Sequence, residues 1–180
     1  MLEIEDHSIL FQHHDKDVQK MLTTDNAGGS SVISEALSFY LVRDLFHHMG
    51  YYASLHRTEM EIEYIPGSKI TDYSVIIPNL HENIIIGCSV VRFFNYRDLN
   101  LTIHDDEIMR LLTKKLDGIN ESSRNVVSES WNKQILHIIT PNNRLRRKIS
   151  KCITTLDTDL VLNTTIFITV TSNRKVYYKY

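Results

Sequence analysis

The stretch KITDYSVIIPNLHENIIIGCSVVRFF, Lys69 to Phe94, decides how this chain folds. Its first run, Lys69 to Ile77, is rich in β-branched residues and reads as a strand. The six residues PNLHEN make a short turn. The second run, Ile84 to Phe94, is apolar on both faces, as a strand covered on both sides must be. A short turn between two strands makes an antiparallel hairpin, with its second strand at the centre of a sheet. Asp72 interrupts the first run among apolar neighbours, where aspartate has poor strand propensity and is costly to desolvate without a partner.

Working outward, HRTEMEIEY (His56 to Tyr64) alternates. Met60, Ile62 and Tyr64 fall on one face and Glu59, Glu61 and Glu63 on the other, which predicts a strand with one wet face, ended by the turn IPGS. Before it, Ser31 to Met49 reads as a helix closed by Gly50. Its apolar stripe of Val32, Phe39, Val42, Phe46 and Met49 also contains Glu35, a second misplaced carboxylate. Residues 1–30 mix charge, histidine and TTDNAGGSS, and are expected to form a loosely packed arm. Downstream, DDEIMRLLTKKLDGI predicts a helix with three acids in its first turn. KQILHIIT follows as a strand, NNRLRRKISKCITTL as a helix, and TTIFITVT and KVYYKY as closing strands. The order is αβββαβ, predicting one α/β domain over 31–180 whose mixed central sheet is flanked by helices.

The chain has 180 residues, 42% of them hydrophobic, enough for a single core. A formal charge of -2 argues against coating nucleic acid by bulk electrostatics, while leaving room for a local basic patch. Two cysteines, Cys88 and Cys152, are too few for a disulfide framework and lack the CxxC or HxH-type spacing that would suggest a zinc site. There is no apolar run of membrane-spanning length and no signal-peptide pattern. The expectation is a soluble intracellular protein of cytoplasm or nucleus, with no membrane partner. No GxSxG elbow, P-loop or GxGxxG motif is present.

A third residue joins the two carboxylates. Arg92 ends the central strand on the face that carries Ile86, Cys88 and Val90, because side chains repeat every two positions. With the hairpin paired, Asp72, Arg92 and the buried side of the first helix converge, and Glu35 points at the other two. The first-turn dipole also favours Glu35, and Asp72 with Arg92 also fits a buried ion pair.

SEALSF, EMEIEY, KITDYSV and GCSVVR, in this order on these elements, resemble the PD-(D/E)XK, restriction-endonuclease-like nuclease superfamily, and within it a poorly characterised eukaryotic family. The likeness runs from Ser31 to Thr171. It implies a metal-dependent phosphodiesterase acting on nucleic acid, with Mg²⁺ or Mn²⁺ held by acids beside a basic group that stabilises developing charge. Carried over, Glu35 is the helix carboxylate and Asp72 the strand aspartate, both metal ligands. Arg92 stands where the family's lysine stands, so the implied catalytic set is Glu35, Asp72 and Arg92.

The sequence departs from that pattern at Val90, two positions before Arg92, where the superfamily has Asp or Glu. Arginine also stays charged at any ordinary pH and cannot handle a proton as lysine does. Either Glu61 or Glu63 compensates for the missing acid, or the site no longer cuts and the domain is a non-catalytic interaction module for protein or nucleic acid. Arg144, Arg147, Lys148 and Lys151, at i, i+3, i+4 and i+7, put four cations on one helix face, a stripe suited to a phosphate backbone or simply to solvent.

Overall fold

In the computed structural model, which describes residues 15–25, 31–101, 103–131 and 133–178, the hairpin forms. Helices α1 (Lys16–Thr23) and α2 (Val32–His48) come first, followed by strands β1 (Ser54–Thr58), β2 (Tyr73–Ile77) and β3 (Ile84–Arg92). Then come α3 (Asp105–Asn125), β4 (Gln134–Thr140), α4 (Asn143–Ile153), the short α5 (Thr158–Val161) and β5 (Thr164–Val170). The sheet order is β1-β2-β3-β4-β5. The first three strands are antiparallel neighbours, Tyr73 opposite Cys88, while β3, β4 and β5 run parallel. Helix α3 makes the β3 to β4 crossover, the length of connection that parallel pairing requires. This is an α/β fold with a mixed five-stranded sheet flanked by helices, as the hairpin and crossover argument expects.

The sheet carries a core on each face. On one, Phe39, Val42 and Leu37 of α2 pack on Tyr73, Val75, Cys88, Val90, Ile135 and Ile139. On the other, Leu112, Leu116 and Ile119 of α3 and Leu145 and Ile149 of α4 cover Phe93, Leu136 and Ile138. All seven residues of β4 are buried because that strand lies between both layers. Among the described residues no helix is long and apolar enough to cross a membrane.

Four expectations need correction. Within the stretch read as a loose arm, Lys16–Thr23 form α1, whose Val18 and Met21 are buried against α2; the segments 1–14 and 26–30 lie outside the described residues. Because α1 covers a second side of α2, six consecutive residues from Ser34 to Phe39 are buried, and the inward face is wider than one stripe. Met49, read as part of that stripe, is instead exposed beyond the last turn.

The alternating HRTEMEIEY run is not one strand. β1 stops at Thr58, and Glu59–Glu61 form a 3-10 turn. The Glu61 carboxylate accepts the Thr58 N–H at 2.9 Å and the Thr58 hydroxyl at 3.1 Å, a capping box that local charge and hydrogen bonding favour over a further strand. Met60 is consequently exposed. At the C-terminus, Arg174–Val176 form a 3-10 turn in place of a closing strand, and 179–180 lie outside the described residues.

Gly50 closes α2 as read, at φ 83°: its N–H reaches His47 O and that of Tyr51 reaches Phe46 O, both at 2.9 Å, the paired bonds of a Schellman motif. Gly87 matters for packing. A Cβ there would lie 2.9 Å from Trp131 Cδ2 and 3.1 Å from Gln134 Oε1, inside van der Waals contact. Gly87→Ala is expected to destabilise the fold by about 1–3 kcal/mol through overpacking, read as a lower urea midpoint with unchanged slope.

Candidate nucleic-acid interface

The end of the sheet where β2 begins and β3 finishes holds the site. Antiparallel pairing sets Tyr73 opposite Cys88, so the residue before Tyr73 meets the last turn of β3. There Asp72 Oδ2 accepts the backbone N–H of Val90 at 2.5 Å. Burial raises the Asp72 pKa, opposed by the positive charge of Lys115 and by the Val90 hydrogen bond. Tyr73 packs against α2, and Lys115 of α3 lies close enough to act on the Asp72 carboxyl.

A pocket of about 450 Å³ opens at this point, between the first turn of α2 and the first half of α3. Asp72 and Arg92 share its wall with Ser31, Ser34, Glu107, Arg110 and Lys115. Three cations and two carboxylates therefore face one space. Arg92 also donates from Nη1 to Val176 O at 3.0 Å, tying the C-terminal 3-10 turn to the end of β3. Asp72 and Arg92, singled out from the sequence, thus line one pocket.

Glu35 is placed differently. It is buried at 5% exposure in the first turn of α2, its N–H bonded to Ser31 O at 2.9 Å. Its neighbours Ser31 and Ser34 line the pocket; Glu35 is not among the lining residues.

The proposed compensating acids do not reach the site. The Glu61 carboxylate pairs with Lys20 Nζ at 2.7 Å, joining α1 to the capping turn. Burial works against the charge, yet Lys20 and Thr58 hold its carboxyl below the usual range. Glu63 belongs to the segment running back along α3, with its N–H on Ser128 Oγ at 3.0 Å. The acid that does face Asp72's pocket is Glu107 of α3.

A fit test for Mg²⁺ or Mn²⁺ follows from the side chains present. Among the described residues no three His, Cys, Asp or Glu side chains gather closely enough to hold a metal ion. Val90, where the resemblance led one to expect an acid, contributes a backbone N–H, a donor that a cation cannot use. The described side chains do not amount to a resident metal site.

On α4, Arg144, Arg147 and Lys151 are exposed, as the periodicity implied. Lys148 is not available in the same way: its Nζ pairs with Asp105 Oδ1 at 2.8 Å and donates to Ile103 O at 2.9 Å, pinning α4 to the start of α3. None of the four lines the pocket.

Arg110 and Lys115 were missed from the sequence because they sit on the polar side of an amphipathic helix, where charge is ordinarily just solvated. His137 was missed too. It is buried in β4, bridging Ser38 Oγ and Thr169 Oγ1 at 2.8 Å each, and Ser38 Oγ in turn lies 2.8 Å from Tyr73 Oη. The available signal was a histidine inside an otherwise uninterrupted apolar run.

No protein-family model matches the chain, and no solved structure does. Among curated proteins it is similar to the AAC-rich mRNA clone AAC4 protein of Dictyostelium discoideum, 48% identical over 130 residues. That alignment takes in 69% of this chain and 18% of the relative, so the chain spans a minor part of the longer protein.

Proposed function

We propose that this chain is a nuclease-like domain that grips a nucleic-acid backbone in the pocket between α2 and α3 without hydrolysing it. One observation carries the reading: Arg92, Arg110 and Lys115 line the wall that holds Asp72, where the expected second acid is Val90. A surplus of cations in a half-enclosed pocket favours a phosphate, and the low local dielectric strengthens the attraction over that of an open surface. Lys115 acts on the Asp72 carboxyl against the effect of burial, and Arg92 offers a planar fork for phosphate oxygens. Hydrolysis needs a group to take a proton from water. Arg92, standing where the resemblance expects a lysine, cannot, and Val90 stands where it expects a second acid.

A second reading, metal-dependent phosphodiester hydrolysis, is favoured by the presence of Glu107 with Asp72 in the same pocket and of Glu35 buried one residue beyond Ser34.

Asp72→Asn separates the two. Asparagine keeps an acceptor for Val90 N–H and removes a negative charge beside the phosphate. On the gripping reading, oligonucleotide binding measured in EDTA tightens by about fivefold, the effect of removing roughly 1 kcal/mol of repulsion in a partly screened site. On the hydrolytic reading the wild-type protein shows an Mn²⁺-dependent rise in melting temperature and strand cleavage, and both vanish in Asp72→Asn. Chelator-resistant binding that Asp72→Asn weakens rejects the gripping proposal.

A further inference from the structure

We propose that the strand gripped in this pocket is single, with one unstacked base lying on Tyr96 while neighbouring phosphates lie against Arg92, Arg110 and Lys115. This deepens the backbone-gripping reading and rests on it. Tyr96 belongs to the pocket wall, yet 79% of it is exposed. A single exposed tyrosine is ordinary on a protein surface. Tyr96 is not a free-standing one.

Its ring centroid lies 4.4 Å from that of Phe94, a buried residue that is also in the pocket wall. Phe94 in turn is held by Tyr177 at 5.0 Å and by Tyr178, edge-on, at 5.8 Å. Tyr177 is itself buried, its hydroxyl donating to Thr171 O at 2.9 Å. Arg92 closes the arrangement by donating to Val176 O, one residue before Tyr177. The aromatic cluster, its rings tilted or edge-on to one another, is therefore backed by the core and by the same arginine that faces the pocket. An outward ring fixed in this way loses little freedom when a base is laid on it.

A cationic groove beside an aromatic platform is the combination used by proteins that bind single strands without base-edge readout. In a duplex the base faces are covered by their neighbours, and a B-form rod offers only edges and phosphates. A duplex can use the cations and not the ring. The loop that carries Tyr96 follows β3 directly, so platform and cations are placed by one strand end. The simpler account, that Tyr96 only shields Phe94 from water, predicts no preference among ligands.

Four labelled probes of equal length decide between them by fluorescence anisotropy in EDTA: oligothymidylate, oligouridylate, a thymidylate-adenylate duplex, and an abasic strand. The expected result is that at least one base-bearing single strand binds about tenfold more tightly than the abasic strand and the duplex, roughly 1.4 kcal/mol. Tyr96→Ala should lose that tenfold and leave abasic binding unchanged, while Tyr96→Phe keeps it. Tyr96 is exposed, so neither variant threatens the fold, and matching melting temperatures check this. Equal affinity for base-bearing and abasic strands, a duplex bound most tightly, or no effect of Tyr96→Ala overturns the platform, while salt-dependent binding that weakens in Lys115→Ala leaves the gripping reading standing. Absence of salt-dependent binding to all four probes overturns both.

Discussion

Between pH 7 and pH 5 the wild-type protein is expected to lose about 2 kcal/mol of folding stability through His137 alone. Burial lowers the imidazole pKa from the ordinary 6.5 to about 4. In the fold the neutral ring acts as one donor and one acceptor between Ser38 Oγ and Thr169 Oγ1. Protonation makes both nitrogens donors in a buried site where each faces a neutral hydroxyl. As pH falls below 6.5 the unfolded chain takes up a proton that the folded one refuses until about 4, so stability drops through that window and is flat outside it. His137→Gln removes the titration. It should cost about 1–2 kcal/mol at pH 7, because one amide cannot satisfy both hydroxyls as the ring does. At pH 5 the variant and wild type should nearly coincide in urea midpoint. A gap that is the same at both pH values would show that His137 is not the titrating group.

That network also explains why helix α2 sits where it does. Ser38 bridges Tyr73 of β2 and His137 of β4, across the intervening β3, and so fixes the rotation of α2 over the sheet. The same rotation buries Glu35 and presents Ser31 and Ser34 to the pocket. Stability and site geometry thus depend on one buried hydroxyl.

The elements that were readable in the sequence are those whose pattern is set by burial alone. The run from Ile84 to Val91 reads as central because it is apolar on both faces, and the glycine after α2 had to take a left-handed conformation. Asp72 and Arg92 stood out because each breaks such a pattern. The segment after Thr58 misled because Glu59, Glu61 and Glu63 alternate with apolar residues, the mark of a strand, while Thr58 and Glu61 also spell a capping box. Two local rules competed there, and three residues of alternation lost to two hydrogen bonds. Arg110 and Lys115 obey the amphipathic pattern of α3 perfectly well, and nothing local distinguishes them from solvated charges. Their role comes from which end of α3 lies beside the end of β3, a fact of tertiary packing. The Lys148 contact is similar: a regular basic stripe on α4 gives no hint that one member is bound to Asp105 and Ile103.

Reversing both charges on α3, Arg110→Glu with Lys115→Glu, is expected to weaken oligonucleotide binding more than a hundredfold at low salt. Two carboxylates, Asp72 and Glu107, already face this space, and only the three cations make it attractive to an anion. Reversal leaves Arg92 as the one cation among the described residues of the pocket wall, surrounded by acids, so the phosphate meets repulsion where it met two favourable contacts. Each close charge contact in such a partly buried site is worth on the order of 1–2 kcal/mol, and reversal changes each by about twice that, so the two together lose at least about 4 kcal/mol and clear a hundredfold comfortably. The salt dependence provides a sharper check than the affinity. Three phosphate contacts on a single strand give a slope of about -2 in log K against log salt. Lys115→Ala alone should reduce that slope by about 0.7, and the same substitution of Arg147 on α4 should leave it unchanged, because Arg147 lies outside the pocket. If Arg147→Ala lowers the slope and Lys115→Ala does not, the backbone runs along α4 and the pocket is not the interface. Matching melting curves must accompany the double reversal, since the carboxylate introduced in place of Lys115 would stand beside the buried Asp72 and remove the cation that now offsets its charge. Lys115→Gln keeps the length of the side chain without the repulsion, and should reproduce the loss of slope in a protein of nearly unchanged stability.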